Sequence, residues 1–163
     1  MKTILFVCTG NTCRSPMAEA LFKKRLSDRL GCVPAELPRR GYVVISAGLS
    51  AYNGGPAAGE AVAEAATYGA DLTGHRSRAM TAELLFQADY VVGMTQDHVA
   101  ALTEGAAGLT EPPRLLSPAG EDLSDPVGHD RAVYTDCAAA IWKHVDALAT
   151  EILTASAPAW PNP

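Results

Sequence analysis

Near its start the chain reads Ile4-Leu5-Phe6-Val7-Cys8-Thr9-Gly10-Asn11-Thr12-Cys13-Arg14-Ser15-Pro16. The first four of these residues form an apolar run typical of a buried strand, and Pro16 stands where a helix would begin. A strand that ends at Cys8 and a helix that starts near Pro16 leave about seven residues to curl around a small oxyanion, with their backbone amides facing it. The segment therefore predicts an anion-binding loop with a thiol at its base.

Hydrophobic runs and helical patterns alternate along the rest of the chain, which is typical of a parallel sheet covered by helices. The pattern predicts one α/β domain over residues 1–154. Its three layers would be a short four-stranded parallel sheet between helices, with the anion-binding loop after the first strand. We predict strands over 3–7, 42–46, 89–94 and 114–116, and helices over 16–30, 57–68, 81–87, 95–103 and 131–154.

Residues that commonly begin or end helices stand at these boundaries. Ser15, Thr81 and Thr95 are candidate N-caps. Gly31 and Gly69 are placed to end the first and second helices. The tail over 155–163 contains three prolines and is expected to be flexible.

Length and charge limit the function classes. The chain has 163 residues and a net charge of −5, and its basic clusters at 23–25 and 39–40 are too short to suggest a nucleic-acid or anionic membrane surface. No apolar run approaches the roughly eighteen residues of a membrane span, and the run at 3–7 is shorter than the roughly seven to fifteen of an export signal. We expect a soluble, cytoplasmic monomer without nucleic-acid or membrane partners.

Four cysteines, Cys8, Cys13, Cys32 and Cys137, fit neither a disulfide framework nor the paired spacing of a zinc site. We expect reduced thiols, with Cys32 in a loop and Cys137 in the core. For Cys13 two interpretations stay open: a reversible disulfide with Cys8 under oxidation, or simple packing. The histidines His98 and His129 are expected to be solvated.

The loop provides groups that would activate Cys8 as a nucleophile. Inward amides, the dipole of the following helix and the Arg14 charge all favour a thiolate, and they favour a bound phosphoryl group equally. The Arg14 guanidinium can bind two phosphoryl oxygens at once. Ala18 stands where a capping box would need Glu or Gln, which leaves the Ser15 hydroxyl free to hydrogen-bond the Cys8 sulfur. The residues predicted to form the phosphate-binding loop are Thr9, Gly10, Asn11, Thr12, Cys13 and Ser15.

Cys8-x5-Arg14-Ser15 near the start, with Asp125-Pro126 far downstream, resembles the low-molecular-weight protein tyrosine phosphatase family over nearly the whole chain. The resemblance implies that Cys8 attacks phosphorus to form a cysteinyl-phosphate. It also implies that Asp125 protonates the leaving atom and then acts as base toward water, with no metal or other cofactor. Asp122 and Asp130 remain alternatives for the acid.

The resemblance further implies a hydrogen-bond network behind the loop. It involves Asn11, Ser46 and His75, which would hold the loop in a conformation that needs a positive φ near Asn11. These residues would support the loop and take no part in the chemistry.

Two positions bear on the substrate, which the resemblance implies is a phosphorylated protein. Thr12, together with segments 81–85 and 88–98, resembles the bacterial protein arginine phosphatase branch of the family. Val127 departs from both branches, which carry an aromatic residue there, and Tyr52 is a candidate for the opposite wall of the pocket. Phosphoarginine is favoured, with phosphotyrosine a close second.

Two alternatives remain at this stage. An arsenate reductase uses the same anion loop, but it needs further cysteines close together downstream, whereas Cys32 and Cys137 are isolated. A non-catalytic phosphate-binding module is also compatible with the fold. It would need neither the Cys8 thiol nor the Asp125 acid.

Overall fold

The computed structural model describes residues 1–156. They contain one four-stranded parallel sheet, whose strands lie side by side in the order β2-β1-β3-β4. The strands are β1 (Lys2–Cys8), β2 (Tyr42–Gly48), β3 (Tyr90–Gly93) and β4 (Arg114–Leu115). The helices are α1 (Arg14–Leu30), α2 (Gly59–Thr67), α3 (Ala82–Gln87), α4 (Gln96–Glu104) and α5 (Arg131–Ser156), and a 3-10 helix covers Pro34–Arg40.

Side chains of β1 alternate between the two faces of the sheet. Ile4 and Phe6 pack in a large cluster with residues of α1, α2 and α5. Leu5 and Val7 pack in a smaller cluster with residues of α3 and α4. All four are fully buried, so the predicted three-layer α/β architecture is confirmed.

The pairing of β1 with β2 positions the functional region. The two strands run in register from Lys2 opposite Tyr42 to Cys8 opposite Gly48. Because both are parallel, the loops that follow Cys8 and Gly48 emerge at the same edge of the sheet, where ligands bind in open α/β folds.

Several helix boundaries follow their predicted caps. The hydroxyls of Thr81 and Thr95 accept hydrogen bonds from the first turns of α3 and α4. Gly31 adopts the left-handed conformation at the C-cap of α1. Gly69, with φ of 75°, lies just beyond the Tyr68 C-cap of α2.

Other boundaries differ from the prediction. Helix α1 begins at Arg14 rather than at residue 16, and the 3-10 helix over Pro34–Arg40 was not predicted. Helix α5 continues through Ser156, so the first two residues of the predicted tail are helical. The rest of that tail, 157–163, lies outside the described residues.

Helix α2 is fastened to α5 through a buried carboxylate. Glu64 is only 4 % exposed. One of its oxygens accepts hydrogen bonds from Arg131 Nε and Thr135 Oγ1, each at 2.6 Å. These partners compensate the cost of burying its charge. Within residues 1–156, none of the helices is both long and apolar enough to cross a membrane.

Candidate active site

The segment between β1 and α1 forms a loop around a small cavity. Cys8 ends β1 and Arg14 begins α1. The N–H groups of Leu49 and Ser50 donate to the carbonyls of Cys8 and Thr9, both at 2.9 Å, and fasten the loop to the chain that follows β2. The cavity has a volume of about 240 Å³. It is lined by Cys8, Thr9, Gly10, Asn11, Thr12, Cys13, Arg14, Asp125 and Val127.

The Cys8 sulfur lies buried at the cavity and has two hydrogen-bond partners. The backbone N–H of Asn11 donates to Sγ at 3.3 Å, and the Ser15 hydroxyl lies 2.9 Å from it. The predicted contact of Ser15 with the sulfur is therefore present. The predicted cap is wrong, because Ser15 lies inside the first turn of α1 and Cys13 occupies the N-cap position without a side-chain cap.

Asn11 holds the loop from behind and is fully buried. As predicted, its φ is positive, at 55°; no other non-glycine residue within 1–156 shares this feature. Its Oδ1 accepts from the Arg78 N–H at 2.9 Å, so its amide nitrogen must face the hydroxyls of Ser15 and Ser46, to which it donates at 2.9 Å each. Because Ser15 Oγ accepts this bond, its own proton is available to the Cys8 sulfur at 2.9 Å and to the Ala47 carbonyl oxygen at 3.4 Å. A thiolate at Cys8 would accept through the shorter of these two contacts.

Other side chains extend this network outward. Nε2 of His75 lies 2.8 Å from the Asn11 carbonyl oxygen, and since a carbonyl only accepts, His75 is the donor. Ser46 donates to Glu19 Oε2 at 2.6 Å, and Lys23 donates to the other oxygen of Glu19. Ser46 and His75 thus lie where they were predicted. Glu19 was not predicted, and its one sequence signal is its place one helical turn after the serine of the loop.

Gly48 allows β2 to approach the loop closely. A Cβ atom at this position would lie 2.5 Å from the Thr9 carbonyl oxygen and 2.9 Å from the Asn11 nitrogen. Any side chain there would displace the loop backbone. The requirement for glycine at position 48 was not predicted either, because it depends on the distance between the end of β2 and the loop after β1.

Arg14 and Asp125 meet at the cavity. Arg14 is 5 % exposed. Its Nη1 donates to the Leu123 carbonyl at 3.0 Å, and its Nη2 lies 3.4 Å from Asp125 Oδ2. The Asp125 side chain is 48 % exposed. The structure therefore brings the predicted Cys8, Arg14 and Asp125 to one cavity.

The two alternatives for the acid have other partners. Asp122 Oδ1 accepts from the N–H of Gln96 at 2.8 Å, at the start of α4. Asp130 Oδ1 accepts from the N–H of Val133 at 3.3 Å, at the start of α5. Both carboxylates stabilise helix N-termini, and neither lines the cavity.

The predicted rim residues are only partly brought together. Thr12 and Val127 line the cavity. Tyr52 does not, and its side chain is 90 % exposed, so its prediction as a pocket wall is wrong. The Ser77 hydroxyl, 25 residues further along the chain, donates to the Tyr52 carbonyl at 2.5 Å and holds the backbone of this loop. Among the described residues, the cavity lining contains no aromatic ring.

The remaining cysteines are free thiols in different surroundings. Cys13 Sγ lies 3.4 Å from the Tyr134 hydroxyl, and burial raises the pKa of the Cys13 thiol. Burial also raises the pKa of Cys137 to about 12, which keeps this core residue protonated. Cys32 lies half-buried in the turn after α1. The disulfide between Cys13 and Cys8 stays a prediction.

One histidine differs from its predicted setting. His98 is 5 % exposed rather than solvated, and its Nε2 lies 2.9 Å from Thr9 Oγ1. The signal for this burial was its i, i+4 spacing from the buried Leu102, which places both on the inner face of α4. His129 is exposed, as predicted.

The sequence model of one family, described as low molecular weight phosphotyrosine protein phosphatase, matches residues 3–157. The chain belongs to this family. Relatives of this chain are named protein-tyrosine-phosphatase and arginine phosphatase, and the chain is a phosphoprotein phosphatase.

Individual relatives cover most of the phosphatase domain. A probable low molecular weight protein-tyrosine-phosphatase EpsP of Ralstonia solanacearum is 35% identical over 150 residues, or 90% of this chain and 93% of that protein. The solved YwlE arginine phosphatase from Geobacillus stearothermophilus superposes with a TM-score of 0.82 at 31% identity, covering 100% of both chains. An arsenate reductase of Staphylococcus epidermidis is 38% identical over 96 residues, or 59% of this chain and 62% of that protein. The proteins to which this chain is similar are therefore named for different substrates.

Proposed function

We propose that this phosphatase hydrolyses phosphorylated protein side chains with Cys8 as its nucleophile, and that phosphoarginine is the preferred substrate. The proposal is supported by the thiol at the base of the loop, the Arg14 guanidinium beside it and the Asp125 carboxylate on the facing wall. A phosphoryl group bound by the loop amides would lie between the sulfur and the carboxylate. Such an arrangement fits displacement at phosphorus.

In the first step the Cys8 thiolate attacks phosphorus, so the S–P bond forms and the bond to the leaving atom breaks. Asp125 gives its proton to that atom, a guanidinium nitrogen in phosphoarginine or a phenolic oxygen in phosphotyrosine. Arg14 now pairs with Asp125 at 3.4 Å. An incoming phosphoryl group would compete with Asp125 for this guanidinium, because both are anions that pair with Arg14.

In the second step a water attacks the cysteinyl-phosphate. Asp125 takes a proton from the water, the S–P bond breaks, and inorganic phosphate and the Cys8 thiolate are released. The Ser15 hydroxyl, already directed at the sulfur, stabilises the departing thiolate. Asp125→Asn should therefore reduce turnover at least tenfold more than Asp122→Asn. Equal losses would contradict the assignment of the acid.

One observation favours phosphoarginine. The rim carries the Thr12 hydroxyl and the Asp125 carboxylate, and among the described residues it carries no aromatic ring. A guanidinium presents N–H donors that a hydroxyl oxygen and a carboxylate accept. Val127 offers no ring to either a phenol or a guanidinium, so the preference rests on the Thr12 hydroxyl and the Asp125 carboxylate.

The test is a comparison of kcat/KM for matched phosphoarginine and phosphotyrosine peptides. The native protein should prefer the phosphoarginine peptide. Thr12→Ile should lower that preference about tenfold or reverse it, since it replaces an acceptor with an aliphatic group, and Thr12→Ser should retain it. Faster turnover of phosphotyrosine by the native protein would make phosphotyrosine the substrate.

An arsenate reductase is the second enzymatic candidate, supported by the relative of that name. It requires thiols that resolve the adduct on Cys8. Helix α1 extends for 17 residues, which places the turn with Cys32 about 25 Å from the loop. Cys137 is buried and held protonated, so neither thiol suits this role. Arsenate reduction by the purified protein with an external thiol would favour arsenate reductase over phosphatase as the function.

A phosphate-binding module without catalysis would need neither a thiol nor an acid in the cavity. Hydrolysis of a chromogenic phosphate ester by the native protein, lost in Cys8→Ser, distinguishes the catalyst from the module. We also propose that the protein works as a monomer in the cytoplasm. A reducing compartment keeps the nucleophilic thiol free, and size-exclusion chromatography with light scattering tests the monomer.

A further inference from the structure

A buried histidine supports the exposed end of the phosphate loop from below. His98 Nε2 lies 2.9 Å from Thr9 Oγ1. His98 is 5 % exposed, whereas Thr9 is exposed and lines the cavity. The other ring nitrogen, Nδ1, is buried and has no hydrogen-bond partner within residues 1–156. This pair has no part in the steps proposed above.

The position of His98 is fixed by its helix. The Thr95 hydroxyl caps α4 by accepting from the N–H of His98 at 3.2 Å. At the end of β3, a Cβ on Gly93 would lie 3.1 Å from the Cβ of His98 and 3.0 Å from a methyl group of Val99. The absence of a side chain at Gly93 lets the first turn of α4 lie close against the sheet. The imidazole is therefore held directly beneath the loop.

The hydrogen bonds determine which atom of the pair donates. Burial, and then the Arg14 charge, lower the pKa of His98, so its ring is neutral and carries one proton. Nδ1 has no partner among the described residues in either tautomer. An unpaired buried N–H is rarer in proteins than an unpaired buried acceptor, which favours the proton on Nε2. A proton on Nε2 is donated to Thr9 Oγ1. The hydroxyl proton of Thr9 is then free to point into the cavity.

We propose that the Thr9 hydroxyl donates a hydrogen bond to an oxygen of the bound phosphoryl group, and that His98 is the positioning residue that orients it. This inference rests on the proposed function in that the cavity must accept a phosphoryl group. The contact is made to the phosphoryl oxygens, which every substrate and inorganic phosphate share. It therefore contributes to anion affinity and leaves the choice of leaving group to the rim.

The test measures the Kd of inorganic phosphate by calorimetry, together with kcat/KM for a chromogenic phosphate ester. Thr9→Val removes the hydroxyl while keeping the branched shape, and should weaken phosphate binding about tenfold, as expected for a hydrogen bond to a charged group. Thr9→Ser keeps the hydroxyl and should stay within about threefold of the native protein. Thr103→Val, an exposed threonine on α4, is the matched control and should leave the Kd unchanged.

The role of His98 is tested by a double-mutant cycle. His98→Phe keeps a ring of similar size without the donor, and should weaken phosphate binding about threefold. In the Thr9→Val background the same change should have no further effect, because His98 acts only through the hydroxyl. Circular dichroism melts identify any variant that fails to fold, and only folded variants enter the cycle.

Unchanged phosphate affinity in Thr9→Val, no rescue by Thr9→Ser, or additive effects in the cycle would each overturn the inference. These results are separate from failure of the proposed function. If the native protein bound phosphate through Thr9 but hydrolysed no ester, the function would fail and the inference would stand. If it hydrolysed esters with Thr9→Val unimpaired, the inference alone would fail.

Discussion

Replacing Asn11 with alanine removes the side chain that links the phosphate-binding loop to β2 and to the backbone of Arg78. Three hydrogen bonds are lost, two donated by Nδ2 to Ser15 and Ser46 and one accepted by Oδ1 from Arg78. At about 1 kcal/mol net for each, this costs about 3 kcal/mol. Alanine at a φ of 55° adds up to roughly 1 kcal/mol, because it lacks the short polar side chain that lets asparagine tolerate the left-handed conformation. The expected loss of unfolding free energy is up to about 4 kcal/mol.

Asn11→Gly is the matched control, because it loses the same three hydrogen bonds without the conformational strain. Glycine also gives the unfolded chain more freedom, which offsets part of this advantage by about 0.4 to 1 kcal/mol. We expect Asn11→Gly to be at least as stable as Asn11→Ala, by up to about 0.6 kcal/mol. Urea unfolding followed by circular dichroism measures both free energies, and turnover of a phosphate ester should fall in both variants since the Ser15 proton is no longer directed to the sulfur.

The reasoning would be refuted if Asn11→Ala lost less than about 1 kcal/mol, or if glycine proved less stable than alanine at this position. The first result would mean that the network does not stabilise the fold, and the second that the positive φ costs nothing here. A variant that kept full turnover despite the expected loss of stability would show that the hydrogen-bond network stabilises the fold without affecting the reactivity of the Cys8 sulfur.

Ser15→Ala should slow breakdown of the cysteinyl-phosphate about tenfold or more, because the thiolate leaves without its hydrogen bond. A larger pre-steady-state burst relative to turnover would reveal the slower breakdown, and unchanged kinetics would contradict the role of Ser15. Gly48→Ala should reduce turnover more than tenfold by displacing the loop, since its Cβ would lie 2.5 Å from a loop carbonyl; native activity would show that the strands can separate at no cost. Burial raises the pKa of Glu64, but hydrogen bonds from Thr135 and Arg131 outweigh it and leave the pKa below its usual range. The stability that this lowered pKa contributes is present above the ordinary carboxyl pKa of 4.5 and is lost as the pH falls below it. Glu64→Gln should therefore make the free energy of urea unfolding depend less on pH under acid conditions. An unchanged pH dependence would contradict the stabilising role of Glu64.

The parts that sequence alone predicted are those encoded by neighbouring residues. An apolar run followed by a thiol, a glycine, an asparagine and an arginine specifies a strand, a loop and a helix within one short segment. The Thr81 and Thr95 caps are equally local, because each hydroxyl accepts from its own helix. A positive φ at Asn11 followed from the resemblance and from the tolerance of asparagine for that region.

The parts that sequence missed depend on distances between elements. His98 is buried because Gly93 lets α4 approach the sheet, and no property of residue 98 alone indicates this. The backbone of Tyr52 is held by Ser77, 25 residues further along the chain, and its exposure depends on a loop position that sequence spacing does not reveal. Ser15 was mistaken for a cap because capping preferences describe helices that begin in solvent, whereas α1 begins in a loop that already engages the hydroxyl.

The two faces of the loop divide its tasks. On the inner face, uncharged amides and hydroxyls around Asn11 hold the sulfur and the backbone in place. On the cavity face, Arg14 and Asp125 are the two charged side chains of the lining, and their pairing has to be exchanged for a phosphoryl group. Under the proposed function all phosphorylated side chains would present the same phosphoryl oxygens to this frame. We therefore propose that Thr12 and Val127, which line the cavity, discriminate among the leaving groups.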